Sequence, residues 1–289
     1  MQSIEIHRQR ARWALVACGV AVVVLGFTYI AVYHFGRVSR LDVRLFDDFG
    51  NLDSAPHVNR FADLFAGLCD PGRYEVLAAI PVGIALLRRR PMLALTLFVI
   101  VAGAPLSAQI LKSLLAAAHP DITGAPIPAG SWPSGHATAA TALSLGLVLA
   151  APRRVRPYAA VLGAGFALSV VYSVLVLGWH YPSDALGGIV LASLWAALGI
   201  AWLSRREARR VASGKASASV AKPMPWAETL APPLIAALTA LAGLATLVVV
   251  RPGATIDYLK SYHVMDIAVA VLALLSVGVA TGLAAAFRR

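Results

Sequence analysis

The chain has 289 residues, of which 59% are hydrophobic and 13% charged, and its mean hydropathy is +0.74. A soluble domain carries about 25% charged residues, so this composition excludes an ordinary soluble enzyme, a disordered chain and a collagen. The 25 Lys and Arg against 14 Asp and Glu give a net charge of +11. In a soluble protein that excess would point to nucleic acid; here its placement along the chain gives it another meaning.

Apolar runs occupy residues 13–34, 74–87, 91–117, 137–151, 157–178, 184–204, 228–250 and 264–287. A membrane-crossing helix needs about 20 residues, which the second run lacks and the fourth barely approaches. The first run follows Arg8, Arg10 and Arg12 and is too long for the core of a signal peptide, so it reads as a retained span. Residues 36–73 read as a long outer loop rich in Asp, with a short interfacial helix over 61–68. Residues 205–225 are polar, rich in Ser, Ala and Lys, and read as a linker.

Charge placement decides the number of spans. With eight spans and a cytoplasmic N-terminus, 17 of the 25 basic residues fall inside and 8 outside, while 11 of the 14 acidic residues fall outside. That is the bias the positive-inside rule requires. If the short second run did not cross, Arg88, Arg89 and Arg90 and every later segment would change sides and the bias would vanish. The expectation is an all-α integral membrane protein with about eight spans, both termini cytoplasmic. It comprises a six-span core over 1–204, a cytoplasmic linker over 205–226 and a two-helix hairpin over 227–289. The basic excess is a topology signal, and nucleic acid is not an expected partner. Cys18 and Cys69 sit in unlike surroundings, so no disulfide is expected, and no Cys/His cluster suggests zinc.

This topology gathers polar residues at span ends on the outer side: Lys112, then His119-Pro120-Asp121, then Ser131 to His136, then Trp179 to Asp184. Ionisable groups at membrane depth are costly and point to function. In Pro133-Ser134-Gly135-His136, Ser134 suits an N-cap and Gly135 permits close backbone approach. The unpaired amides of a helix start bind phosphate, and a histidine in the first turn can protonate a leaving oxygen. In His180-Tyr181-Pro182-Ser183-Asp184, Asp184 lies close enough to fix the tautomer of His180 and make its other nitrogen a nucleophile. Each motif alone also fits a capped helix with an interfacial histidine, and Lys112 alone fits a snorkelling anchor. Trp132 and Trp179 read as interfacial belt residues. His7, His34 and His57 read as solvated or interfacial, and the cluster from Arg205 to Arg210 as an inner-face anchor.

Together these residues resemble the type 2 phosphatidic acid phosphatase superfamily. Its pattern is Lys-x6-Arg-Pro, Pro-Ser-Gly-His, then Ser-Arg-x5-His-x3-Asp. Here those positions read Lys112-x6-His119-Pro120, Pro133-Ser134-Gly135-His136 and Ser173-Val174-x5-His180-x3-Asp184. The resemblance covers roughly residues 74–204. It implies a six-helix core and a metal-independent, two-step phosphoryl transfer without a cofactor. His180 would attack phosphorus, Asp184 would orient it and His136 would protonate the leaving group. Lys112, His119, Ser134, Gly135 and Ser173 would hold the phosphate. The implied substrate is a lipid phosphate in the bilayer, a polyprenyl diphosphate or a phosphatidate, met on the outer face of the plasma membrane. Both family arginines are missing, with His119 and Val174 in their places. Loss of one preorganised donor costs about 10²–10³ in rate; Arg251, Lys260 and His263 in the hairpin's outer loop are the substitutes the sequence offers. The rival expectation is a catalytically degenerate protein that binds a lipid headgroup or serves as a scaffold. The oligomeric state is not written in the sequence.

Overall fold

Proline opens most of the helices. In the computed structural model, which describes residues 2–54, 56–117, 119–120, 127, 129–215 and 223–287, Pro71, Pro91, Pro157, Pro182 and Pro252 occupy first-turn positions. The fixed φ of proline suits a helix start, where its missing N–H costs nothing. Asp121, Lys222, Arg288 and Arg289 lie outside the described residues.

Among the described residues the chain forms ten α-helices and no strand. They are α1 (Gln2–His34), α2 (Gly36–Gly50), α3 (Pro56–Gly67), α4 (Pro71–Leu87), α5 (Pro91–Leu114), α6 (Gly135–Ala150), α7 (Arg156–Val176), α8 (Pro182–Ala212), α9 (Trp226–Val250) and α10 (Pro252–Ala286), with a 3-10 turn at Asn51–Ser54. Six of them, α1, α5, α7, α8, α9 and α10, are long and apolar enough to cross a membrane. The protein is thus an all-helical, multi-pass membrane protein. The remaining two apolar runs form α4 and α6, of 17 and 16 residues.

Several boundaries differ from the sequence reading. The segment 36–73, expected to be a loop, is mostly helical, because α2 places Ser39, Asp42, Leu45 and Phe49 on one buried face. The interfacial helix expected over 61–68 is the second half of α3. The expected linker begins late, since α8 runs on through Arg205, Arg206, Arg209 and Arg210 to Ala212. These are good helix formers; Arg210 approaches Glu207 at 3.9 Å, and the basic last turn complements the helix dipole. The loop expected around Arg251, Lys260 and His263 is instead the first half of α10, with a kink at Tyr262. Cys18 and Cys69 are both free.

Small residues let the helices approach closely, which is how helices associate where lipid is as apolar as the side chains. Ala94, Ala104, Ala142, Ala160, Ala164, Ala192 and Ala196 sit in one core with Leu97, Ile100, Leu145 and Val148. Polar links join the helices. Tyr74 Oη donates to Val101 O at 2.7 Å, Ser144 Oγ lies 2.7 Å from Gly163 O, and Trp195 Nε1 donates to Ser107 Oγ at 2.9 Å. The hairpin is no appendage. α10 packs on α7, α6 and α2, burying Met265, Leu272, Ala280, Leu283 and Ala284. α9 touches α7 and α10, but none of its most apolar stretch is buried.

Arginines gather at one end of the bundle. Arg10 of α1 lies over the Phe287 ring at 4.4 Å and Arg156 at 5.0 Å, while Arg88 donates to Ala150 O across the neighbouring helix turns. The N-termini of α4, α6 and α8 and the C-termini of α5 and α7 meet at the other end.

Candidate active site

The close meeting of two helix N-termini builds the site. A methyl group added at Gly188 of α8 would lie 2.7 Å from Ser134 O and 2.9 Å from Thr138 N. Only glycine lets α8 rest on the first turn of α6 at this point. The Ser134 N–H donates to Asp184 O at 2.9 Å, tying the two helix starts together by backbone. Ser134, fully buried, caps α6: its Oγ accepts the Ala137 N–H at 3.3 Å and its carbonyl accepts the Thr138 N–H at 3.0 Å. Of the first-turn amides, this leaves those of Gly135 and His136 for a ligand.

His180 and His136 face one another with ring centroids 6.4 Å apart. His180 is buried, and its Nδ1 donates to Asp184 Oδ2 at 3.2 Å; the same oxygen accepts the Tyr181 N–H at 3.1 Å. With Nδ1 engaged, Nε2 keeps its lone pair free. His136 lies on the more open side, its ring 5.5 Å from that of Trp179 and its Nε2 3.6 Å from Asp70 Oδ1. Asp70 stands just before α4 and gives the protonated imidazole a counter-charge. The charged and titratable groups bearing on His136 are His180, Asp70 and Lys112, and Lys112 in turn feels Asp184.

The remaining residues expected from the sequence are placed as follows. Gly135 lies against Gln109, whose Nε2 would be 3.0 Å from a methyl added there. His119 is buried, with Nδ1 3.4 Å from Ser39 Oγ and Nε2 3.5 Å from Asp42 Oδ2. Ser173 is fully buried near the end of α7 and donates its hydroxyl to Ser169 O at 2.7 Å. Val174 is also fully buried, beneath the turn that leads to His180. Arg251, Lys260 and His263 are exposed, and the His263 ring lies 3.1 Å from Lys260 O. Trp132 is not a belt residue: Gly187 makes room for its indole inside the bundle, where Tyr29 packs on it at 5.3 Å. Trp179 is exposed and borders the site.

Three residues near these groups escaped the sequence reading. Gln109 carries the clearest signal, a polar side chain in an apolar helix three residues before Lys112 and so on the same face. Asp70 had only the Asp-Pro start of α4 to mark it. Asp42 reaches the site region from a segment expected to be loop. Beside Asp70, burial pushes the Cys69 thiol up to about 12, and Asp70 adds to the shift, so this cysteine stays protonated at neutral pH.

Residues 93–208, from the first turn of α5 into the last turns of α8, match the model of the PAP2 superfamily. This segment belongs to that superfamily. Neither the curated proteins nor the solved structures give a match to the chain. The PAP2 segment contains Lys112, Gly135, His136, His180 and Asp184, and PAP2 proteins are generally phosphoric ester hydrolases. Asp42, Asp70 and the α9–α10 hairpin lie outside the matched residues.

Proposed function

We propose that the protein is a membrane lipid-phosphate phosphatase working through a phosphohistidine. One observation carries the reading: a buried imidazole, backed by a buried carboxylate, lies with its ring centroid 6.4 Å from that of a second imidazole. His180 Nε2 attacks phosphorus while Asp184 holds the Nδ1 proton and balances the positive charge that develops on the ring. His136, protonated and backed by Asp70, gives its proton to the leaving oxygen. Water then gives a proton to His136 and attacks phosphorus, breaking the P–N bond, releasing phosphate and returning His180 to its neutral form and His136 to its protonated one.

The anion is held mainly by dipoles and neutral donors. The Gly135 and His136 amides point from the α6 N-terminus, Gln109 supplies an amide from α5 and Lys112 supplies the cation. Preorganised N–H donors stabilise developing charge without reorganisation. In this reading the set does the work of the missing arginine clamps. The substrate is a lipid whose phosphate sits at the end of the bundle, a polyprenyl diphosphate or a phosphatidate. The charge bias supports an outward-facing site in the plasma membrane, with both termini cytoplasmic.

The test is phosphate release by the full chain in nanodiscs from each lipid class. Turnover by the wild type that is lost in His180→Ala supports the proposal; a wild type silent on both lipids overturns it. The burial of His119 and Val174, where guanidinium groups would stand, favours a second reading: headgroup binding without turnover. Lipid binding that survives His180→Ala and His136→Ala, with an inactive wild type, selects it.

A further inference from the structure

The start of α8 also carries polar groups that phosphoryl transfer does not use. Asp42 of α2 accepts twice from Ser183: the N–H donates to Oδ1 at 3.0 Å and the hydroxyl to Oδ2 at 2.6 Å. A carboxylate 141 residues distant in sequence thus caps the helix that follows His180. Helix starts hold amides without internal partners, and a negative charge there is favoured by the helix dipole. His119 Nε2 approaches the same Oδ2 at 3.5 Å, and its Nδ1 lies 3.4 Å from Ser39 Oγ, one turn earlier on α2. The His119 ring stacks on Tyr181 with centroids 4.5 Å apart, and Tyr181 rests on Phe46 of α2 at 5.0 Å.

Burial raises the Asp42 carboxyl above its ordinary value; the nearby His119 and the two bonds from Ser183 oppose this, and Asp184 adds to it. Two buried acids therefore flank one short turn, each committed to a different neighbour. Asp184 holds His180, and Asp42 holds Ser183. α2 is itself seated by Leu45 and Phe49 in a core shared with α7, α8 and α10, while Arg37, Arg40 and Arg44 are exposed.

We propose that Asp42 and His119 are positioning residues: together they clamp the turn 180–184 onto α2, so that the seating of α2 fixes where His180 stands. The proposal rests on the reading of His180 as nucleophile, yet the clamp is observable without turnover. His119 acts here through Asp42 and Tyr181 and does not touch phosphate.

The experiment compares wild type, Asp42→Ala, Asp42→Asn and His119→Gln as full chains in nanodiscs. Hydrogen–deuterium exchange follows the start of α8, and kcat and KM are measured in parallel. In Asp42→Ala, exchange at the start of α8 rises about tenfold or more, since a bond to a charged acceptor is lost. Its kcat falls by about tenfold or more while KM stays within about twofold. Asp42→Asn, which keeps an acceptor for Ser183, recovers part of both. His119→Gln shows a smaller change in the same direction.

Unchanged exchange in Asp42→Ala overturns the clamp. So does an increase spread evenly over all helices, which would make Asp42 a support of the bundle as a whole. A His119→Gln variant with KM raised about tenfold and exchange unchanged would make His119 a phosphate ligand and also overturns it. A wild type that releases no phosphate sinks the nucleophile assignment alone, because the exchange pattern still decides the clamp.

Discussion

At the residue scale the two imidazoles have opposite needs. In the proposed reaction His180 must be neutral to attack. His136 must be protonated to help the leaving group, so turnover falls as pH rises through its titration. The fall of kcat at alkaline pH is expected to be lost in His136→Ala. A profile unchanged by His136→Ala would remove that residue from the proton transfer. Gln109→Ala should lower kcat/KM by about tenfold or more, and Lys112→Ala by at least as much, because the phosphate has few other donors; steady-state kinetics on either lipid class checks both. The histidine motifs and Asp184 were legible because their chemistry needs several polar residues at short spacing beside apolar spans. Gln109 and Asp70 were not, since each is a single polar residue whose meaning comes from a neighbour on another helix.

At the element scale, the site exists because α6 and α8 start side by side. Gly188→Ala would drive a methyl into the Ser134 carbonyl and the Thr138 amide, backbone atoms that cannot swing away. Overpacking of this kind costs about 1–3 kcal/mol. The expected outcome is a lower Tm together with loss of turnover, measured on the same preparation. An active variant with unchanged Tm would show that the helix starts have more freedom than the contact allows. The Gly187-Gly188 pair is visible in the sequence, but nothing local says which helix it receives. α2 was hidden for a related reason: its apolar positions are interleaved with Arg37, Arg40, Arg44, Asp47 and Asp48, so the segment looks like loop by composition. Its helical face becomes legible only once Leu45 and Phe49 are seen to enter the core and Asp42 to meet Ser183. The long spans needed no such context, because a membrane imposes an unbroken apolar run on each.

At the scale of the whole molecule, the hairpin expected to follow a linker divides into two unlike helices. α10 is part of the core, whereas α9 faces outward along its apolar length. Met265→Ala should therefore cost about 2 kcal/mol or more, while Leu238→Ala on α9 should leave thermal unfolding unchanged. Equal effects at both sites would contradict this division. Sequence alone could not separate them, since both are continuous apolar runs and burial depends on where neighbours stand. The architecture as a whole places the basic residues Arg10, Arg88 and Arg156 at one end and the imidazole pair at the other. That polarity makes sense if a lipid phosphate is received at the far end from the arginines and handed to His180. The most direct test is to quench the full chain during turnover of a ³²P-labelled lipid phosphate and locate the label by peptide mapping. The account predicts an acid-labile, base-stable phosphoryl group on the peptide containing His180, absent from His180→Ala. Turnover with no trapped label, or with label on any other residue, would contradict it.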